Sequence, residues 1–241
     1  MSVLLMKLAG PMQSWGHESR HAHRTTAAEP SKSGVLGMLA AAQGRRRTDP
    51  ITDLVGLRFG VRTDQPGRVL EDFQTAQNAS GVSMPLTHRQ YLADAVFLAG
   101  VEGDRNFLEK LDKALHSPEY ALFLGRRAFA PSGPVSLGIV DEGLQRALAQ
   151  HPWEASEWFK KRQRRRPFMA PVSVDADGWD SDGAEPDRVS EDRVQDVPVS
   201  WDIKHREYGW RPVRRYWEPL DDGAVPAGRD WMEALKCVDI S

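Results

Sequence analysis

Cysteine is almost absent from this chain of 241 residues, and its scarcity narrows the possible chemistry. The single thiol, Cys237, has no second cysteine to pair with, so an internal disulfide is excluded. A structural zinc site usually takes four ligands, several of them thiolates, and one remote cysteine does not supply them. We therefore expect no metal and no cofactor.

Long apolar runs are also missing. The apolar start of the chain, residues 3 to 8, is too short for a membrane span or for the apolar part of a secretion signal. The sequence thus predicts a cytoplasmic protein without a membrane partner.

The chain also lacks an excess of charge of one sign, because its 32 basic residues nearly balance its 34 acidic residues. Any affinity for nucleic acid must therefore come from local basic patches and not from the overall field. Basic residues crowd at 45–47, 126–127, 160–166 and 204–215. Acidic residues crowd at 175–196, where large apolar groups are few, so a solvated loop is expected there.

The order of hydrophobic patterns predicts an α+β fold of the ferredoxin-like, RRM-like β-α-β-β-α-β kind. A polar, turn-rich stretch between the second and third strands predicts an inserted hairpin. The predicted elements are a strand at 3–8, a helix at 33–43, strands at 55–61 and 89–98, a helix at 107–115, and a last strand at 120–124 or 135–140.

The loop and helix between Leu8 and Gly44 form the most distinctive part of the chain. Ser31 or Ser33 is suited to cap the helix, and Gly44 to end it, which places Lys32 at the helix N-terminus. Unpaired N–H groups and the positive end of the helix dipole favour a phosphate there. The alternative, equally compatible with the pattern, is a capped core helix whose Lys32 points into water.

Three histidines, His17, His21 and His23, lie in the same loop and raise the question of catalysis. A metal-free ribonuclease could use one histidine as a base and Lys32 or an arginine to stabilise the phosphorane. The 2′-hydroxyl of the RNA would be the nucleophile. The spacing of these residues alone does not decide between this chemistry and a solvated or RNA-contacting role.

Two further pairs are suited to RNA. Arg126 and Arg127 follow an apolar segment and Gly125, and guanidinium groups match phosphate geometry, which favours an RNA or partner contact over a plain surface pair. Arg89 and Tyr91 fit a backbone contact beside a stacking ring, or equally an ordinary exposed strand face.

Four segments carry distinctive patterns: Gly-Pro-Met-Gln-Ser-Trp-Gly at 10–16, Pro-Ser-Lys-Ser-Gly at 30–34 with the helix after it, Arg-Gln-Tyr-Leu-Ala-Asp-Ala at 89–95 and Leu-Gly-Arg-Arg at 124–127. Together these segments resemble the Cas-five family of the RAMP superfamily, in its type I-E form. A weaker similarity follows at 196–202, in Asp-Val-Pro-Val-Ser-Trp-Asp.

The resemblance implies a RAMP domain over residues 1–140, with a thumb hairpin at about 65–92, and a C-terminal extension over 141–241 packed on it. It also implies a non-catalytic subunit of the CRISPR surveillance complex Cascade, which acts in antiviral defence. Such a subunit caps the five-prime handle of the CRISPR RNA. It contacts a backbone Cas-seven-type subunit through the thumb, the large subunit through other faces, and target DNA indirectly.

The same resemblance, with the charge patterns above, selects the candidate RNA-binding residues. The expected catalytic set is empty. The RNA-binding candidates are Gln13, Trp15, Arg20, Arg24, Ser31, Lys32, Ser33, Gln74, Thr75, His88, Arg89, Tyr91, Arg126 and Arg127.

A rival hypothesis is a metal-independent endoribonuclease that processes precursor CRISPR RNA. Relatives of the family in type I-C systems cut their own guide precursor in this way. In the type I-E arrangement another subunit makes that cut, so the resemblance favours the non-catalytic function.

Overall fold

The structure is a computed structural model that describes residues 1–16, 23–163, 167–179, 186, 188–202 and 205–220. Eleven strands and five α-helices lie in these ranges. The strands are β1 Ser2–Ala9, β2 Met12–Gln13, β3 His23–Arg24, β4 Arg58–Gln65, β5 Arg68–Gln74, β6 Thr87–Ala93, β7 Val96–Gly103, β8 Ser136–Val140, β9 Phe168–Asp175, β10 Ser190–Ser200 and β11 Glu207–Leu220. The helices are α1 Lys32–Ala42, α2 Thr52–Val55, α3 Arg105–His116, α4 Leu144–Gln150 and α5 Glu157–Gln163.

The main sheet has seven strands in the order β10-β11-β9-β4-β7-β1-β8, and every neighbouring pair is antiparallel. The molecule is therefore α+β with a largely antiparallel sheet. A second, smaller sheet joins β2, β6 and β3, and β5 pairs with β6.

Both faces of the main sheet are covered, which explains why residues 3–6 of β1 are all apolar. Side chains alternate between the faces of a strand. Leu4 and Met6 therefore pack under α1 and α3, whereas Val3 and Leu5 pack with α4 on the opposite face. Helix α4 comes from the C-terminal part of the chain.

The two longer helices begin at side-chain caps. The Ser31 hydroxyl accepts the Gly34 backbone N–H at 3.2 Å, and a carboxylate oxygen of Asp104 accepts that of Phe107 at 3.0 Å. Helix α1 ends before Gly44, whose φ of +75° is readily adopted by glycine. The helix and its caps agree with the sequence-based expectation.

Three predicted boundaries differ from the structure. The segment at 89–98 is two strands, because Asp94 adopts a positive φ of 57° and turns the chain between β6 and β7. The strand predicted at 55–61 instead begins at Arg58, after the short helix α2. Of the two options for the last strand, 135–140 corresponds to β8.

The prediction of a solvated acidic loop at 175–196 is wrong at both ends. Asp175 closes β9, residues 190–196 belong to β10, and the carboxylates of Asp175 and Asp196 are buried. Opposite charges supplied by distant parts of the chain make this burial possible. The C-terminal part of the described chain adds strands β9, β10 and β11 to the main sheet, with β9 next to β4.

Candidate nucleic-acid interface

The segments 10–16 and 124–129 are joined backbone to backbone. The Ser14 N–H donates to the Leu124 carbonyl at 3.1 Å. Gly125 has a φ of +84°, and a Cβ placed on it would lie 1.7 Å from the Ser14 carbonyl oxygen. Only glycine fits this contact, which fixes the turn that carries Arg126 and Arg127.

Gln13 and Trp15 lie in the interior, with 0% and 1% of their surfaces exposed. The Gln13 amide donates to the carbonyls of Leu8 and Ala95 at 3.1 and 2.8 Å, and accepts the Trp15 indole N–H at 2.9 Å. Their prediction as RNA-contacting side chains does not agree with this burial. They support the loop from beneath.

Strand β3 pairs in parallel with β6, so that Arg24 lies opposite Arg89 and His23 opposite His88. The two imidazoles stack with ring centroids 4.9 Å apart, and Phe73 meets His88 edge-on at the same separation. Because successive side chains alternate between faces, the two arginines share one face of the hairpin and the two histidines share the other.

The Arg126 guanidinium lies over the Tyr91 ring, 4.6 Å from its centroid, and Phe129 packs edge-on against the same ring at 5.0 Å. Burial lowers the pKa of Arg126, and the charges of Arg89 and Arg24 lower it further against the opposing effect of Tyr91. The buried Nη1 atom of Arg126 has no hydrogen-bond partner among the described residues. Three like charges thus converge, and an anion would relieve their repulsion.

Tyr91 supports this cluster and does not offer a free stacking face, because only 7% of its surface is exposed. Its hydroxyl donates to Asp72 Oδ2 at 3.3 Å, and the Gln74 amide donates to the same oxygen at 2.6 Å. Thr75 follows at the exposed end of β5. Gln74 therefore lies at the edge of the arginine face.

Lys32 does not project into water or towards a ligand site; 6% of it is exposed. Its ammonium donates to Asp175 Oδ2 at 2.9 Å, and its backbone N–H donates to Asp196 Oδ2 at 2.7 Å. The anion at the start of α1 is therefore the Asp196 carboxylate. The prediction that Lys32 is an exposed phosphate ligand is wrong, because the C-terminal strands supply both carboxylates.

Arg211 completes this buried ion cluster. Its guanidinium donates to both oxygens of Asp196, at 2.6 and 3.0 Å, and to Asp175 Oδ1 at 2.6 Å. Burial alone would lower the pKa of Arg211, but the hydrogen bonds and charges of Asp196 and Asp175 outweigh it and raise that pKa. The cluster joins β9, β10 and β11 to the start of α1.

Ser33 and Arg127 line a cavity on the outer side of helix α1, away from the buried ammonium of Lys32. The Ser33 hydroxyl accepts the Trp201 indole N–H at 3.2 Å, and all three residues line that cavity. Arg126 and Arg127 therefore point to opposite sides of one turn. Arg20, His17 and His21 lie outside the described residues.

Within the described ranges, no group of three or more His, Cys, Asp or Glu side chains could hold a metal ion. The helices that the structure describes include none long and apolar enough to cross a membrane.

A family model described as CRISPR-associated protein (Cas_Cas5) matches residues 3–214. The chain belongs to the Cas_Cas5 family. A curated relative, "CRISPR system Cascade subunit CasD" of Escherichia coli (strain K12), is 34% identical over 159 residues, which covers 57% of this chain and 70% of the relative.

Two solved structures resemble this Cas_Cas5 protein along nearly its whole length. One, described as "Crystal structure of Cas protein", is 34% identical with a TM-score of 0.68, covering 92% of this chain and 100% of that chain. The other, described as "CRISPR RNA-guided surveillance complex", is 33% identical with a TM-score of 0.70, covering 97% and 98%.

Sequence reasoning missed the buried partners of Lys32 in this Cas_Cas5 protein. Asp175 and Asp196 stand at the ends of the acidic stretch that was expected to be a solvated loop, and Arg211 stands in the basic stretch at 204–215. A faint signal existed, because Asp196 begins the segment at 196–202 that resembles the family. Nothing local in the sequence, however, connects that segment to α1.

Proposed function

We propose that this chain is a non-catalytic subunit of a type I-E CRISPR surveillance complex, in which it caps the five-prime handle of the guide RNA. The observation that carries the proposal is the convergence of Arg24, Arg89 and Arg126 around Tyr91. It leaves a buried guanidinium nitrogen, Arg126 Nη1, without a partner in the described chain. A phosphate of the RNA backbone beside these three arginines would supply the missing negative charge.

We also propose that residues 1–140 form a ferredoxin-like RAMP domain. Strands β1, β4, β7 and β8 alternate with α1 and α3 along the chain, and they lie side by side in the order β8-β1-β7-β4. This is the order in which a split β-α-β unit arranges its four strands. The hairpin of β5 and β6 is inserted between the second and third of them, as a thumb would be.

The proposed partners are the guide RNA, a backbone Cas-seven-type subunit and the large subunit, with target DNA contacted indirectly. The relatives described above belong, by their names, to Cascade or to an RNA-guided surveillance complex. The tip of the hairpin supports a protein contact, because Val82, Met84 and Leu86 are 60%, 49% and 45% exposed. Clustered apolar side chains at an exposed tip are typical of an interaction site.

The proposed absence of catalysis is supported by the division of the hairpin faces. A histidine base and a phosphate-stabilising cation must both reach the same scissile phosphate. His23 and His88 stack on the face opposite to Arg24 and Arg89. We therefore propose that the described histidines contact a partner or RNA without cutting it.

The test compares Arg89→Ala/Arg126→Ala with Arg146→Ala/Arg162→Ala, which removes two exposed arginines elsewhere on the surface. Affinity for a single-stranded RNA carrying the handle is measured over a range of salt concentrations. Hydrogen bonds to charged groups contribute about 1.5–3 kcal/mol each, so we expect the first variant to bind at least about tenfold more weakly. Its salt slope should fall by about 0.7 for each lost phosphate contact, while the control keeps the parent's values.

Equal affinities for the parent and both variants would overturn the RNA-binding role. The same preparations, incubated with repeat RNA with and without EDTA, test the ribonuclease alternative. Specific cutting near the handle by the parent chain alone would replace the non-catalytic proposal with that alternative.

A further inference from the structure

A second basic site lies on the other side of the turn that carries Arg126. A cavity of about 860 Å³ opens between helix α1, the segment 120–127 and the C-terminal residues Trp201, Arg206 and Tyr208. Its volume falls within the range of about 300–1,000 Å³ that is typical of ligand-binding pockets. None of the functions proposed above uses this cavity.

Arginine dominates the lining of the cavity. No acidic side chain is among the described residues that form its wall. The arginines are Arg45, Arg46, Arg47, Arg127 and Arg206.

Only one of these charges is balanced within the described chain. Arg45 forms a bidentate pair with Asp53, whose hydrogen bond raises the pKa of Arg45 against the effect of burial. The side chains of Arg46, Arg127 and Arg206 have no ion pair with any described residue, and the same is true of Arg47. Four guanidinium groups without an ion-pair partner among the described residues line one cavity, and such a cluster favours a polyanion.

Aromatic and small side chains complete the lining of the cavity. The exposed Tyr120 ring and the indole of Trp201 line it, together with Phe123 and Tyr208. The Ser33 hydroxyl accepts the Trp201 N–H and so fixes that indole. The part of α1 that lines the cavity carries glycine and alanine, which leaves room for a flat ring.

We propose that this cavity binds one or two nucleotides of single-stranded RNA, with a base against the aromatic side chains and phosphates held by Arg46, Arg47, Arg127 and Arg206. The inference rests on the proposed function, because it extends the same guide strand. Arg126 and Arg127 are adjacent on the turn fixed by Gly125, so a strand held at Arg126 passes directly to the cavity. Alternating cations and rings are the means by which proteins hold unpaired nucleotides.

An acidic peptide of a neighbouring subunit is the competing occupant. It would satisfy the arginines but would make little use of the four aromatic side chains that line the cavity. The experiment therefore distinguishes the two ligands.

The cavity variant is Arg46→Ala/Arg47→Ala/Arg127→Ala, and the matched control is Arg146→Ala/Lys161→Ala/Arg162→Ala on other exposed surfaces. Affinity for handle RNA is measured by fluorescence anisotropy with the full chain. We expect the cavity variant to bind at least about tenfold more weakly. Its salt slope should be lower by about 2, because single strands contribute about 0.7 for each phosphate contact.

Stacking is tested at Tyr120, which is 47% exposed. Tyr120→Leu should lower the affinity for RNA by about tenfold, whereas Tyr120→Phe, which keeps the ring, should leave it unchanged. Handle RNA is then shortened from the five-prime end, one nucleotide at a time, to identify the nucleotide that the cavity binds. The truncation that weakens binding to the parent should have no effect on the cavity variant.

The outcomes separate this inference from the proposed function. If Arg89→Ala/Arg126→Ala loses affinity for RNA but the cavity variant does not, the inference about the cavity is overturned and the proposed function stands. If neither variant loses affinity, both the inference and the proposed function are overturned. Unchanged RNA affinity, combined with failure of the cavity variant to copurify with the other subunits, would assign the cavity to a protein partner instead.

Discussion

The ammonium of Lys32 lies 2.9 Å from a carboxylate oxygen of Asp175, although 143 residues separate them along the chain. Both side chains are buried, at 7% and 5% exposure. The contact connects the first turn of α1 to the end of β9. Lys32, which the sequence suggests as a phosphate ligand, therefore connects helix α1 to the C-terminal strands.

Replacing Lys32 with methionine should therefore lower the free energy of unfolding. Removing one partner of a buried ion pair leaves an uncompensated charge and typically costs about 3–5 kcal/mol. Urea unfolding measures the change, and Lys161→Met on an exposed surface is the control. A Lys32→Met variant as stable as the parent would show that the contact is not buried in solution.

Gly125→Ala should disrupt the turn that carries Arg126 and Arg127. A positive φ costs a non-glycine residue about 1–3 kcal/mol, and here a Cβ would also overlap the Ser14 carbonyl oxygen. We expect a lower melting temperature and weaker RNA binding. Gly133→Ala is the matched control, because a Cβ at that position meets no atom within 4 Å. Equal effects of Gly125→Ala and Gly133→Ala would contradict the close approach of Gly125 to the Ser14 carbonyl.

The tip of the hairpin, residues 75–86, should be dispensable for folding. Its apolar residues are exposed and contribute nothing to the core clusters. We expect a short Gly-Ser replacement of the tip to change the free energy of unfolding by no more than about 0.5 kcal/mol. Copurification should reveal the loss of the neighbouring backbone subunit. A shortened protein that still assembles fully would refute the assignment of the thumb.

Glu218→Gln should stabilise the protein at neutral pH. Burial raises the pKa of Glu218, although the charge of Arg62 opposes the change. An acid whose folded-state pKa is raised destabilises the fold once the pH exceeds its unfolded value, about 4.3. Chemical unfolding at several pH values should therefore show a gain at pH 7 that disappears below that value.

Glu154→Gln is the opposite case and serves as the comparison. Burial would raise the pKa of Glu154, but its bonds with Lys7 at 2.8 Å and His151 at 3.0 Å lower it. A carboxylate with a lowered pKa stabilises the fold above its unfolded pKa, and that contribution is lost as the pH falls through the folded value. Glu154→Gln should be less stable than the parent at pH 7, and the difference in free energy of unfolding should disappear at acidic pH. If Glu218→Gln and Glu154→Gln both raised, or both lowered, the stability at pH 7, the opposite pKa shifts of the two glutamates would be contradicted.

Local patterns were sufficient for strands β1, β4, β7 and β8 and for the two longer helices, whereas strands β9, β10 and β11 were not predicted. The apolar run of β1, the capped helices α1 and α3, and the turn-rich insert each follow from neighbouring residues, because caps and strand alternation act over a few positions. The split of the 89–98 segment was missed, since the positive φ of Asp94 leaves no pattern in hydrophobicity.

The candidate site was only partly predictable for the same reason. The sequence by itself determined the chemistry available: arginines at 24, 89, 126 and 127, a glycine before the last two, and a lysine at the start of a helix. Only the tertiary structure decided which of these charges are free. Lys32 is neutralised by carboxylates more than 140 residues away, while Arg126 is left beside Arg24 and Arg89. Coulomb energies depend on distance and burial in space, and no local sequence pattern encodes either for partners so far apart along the chain.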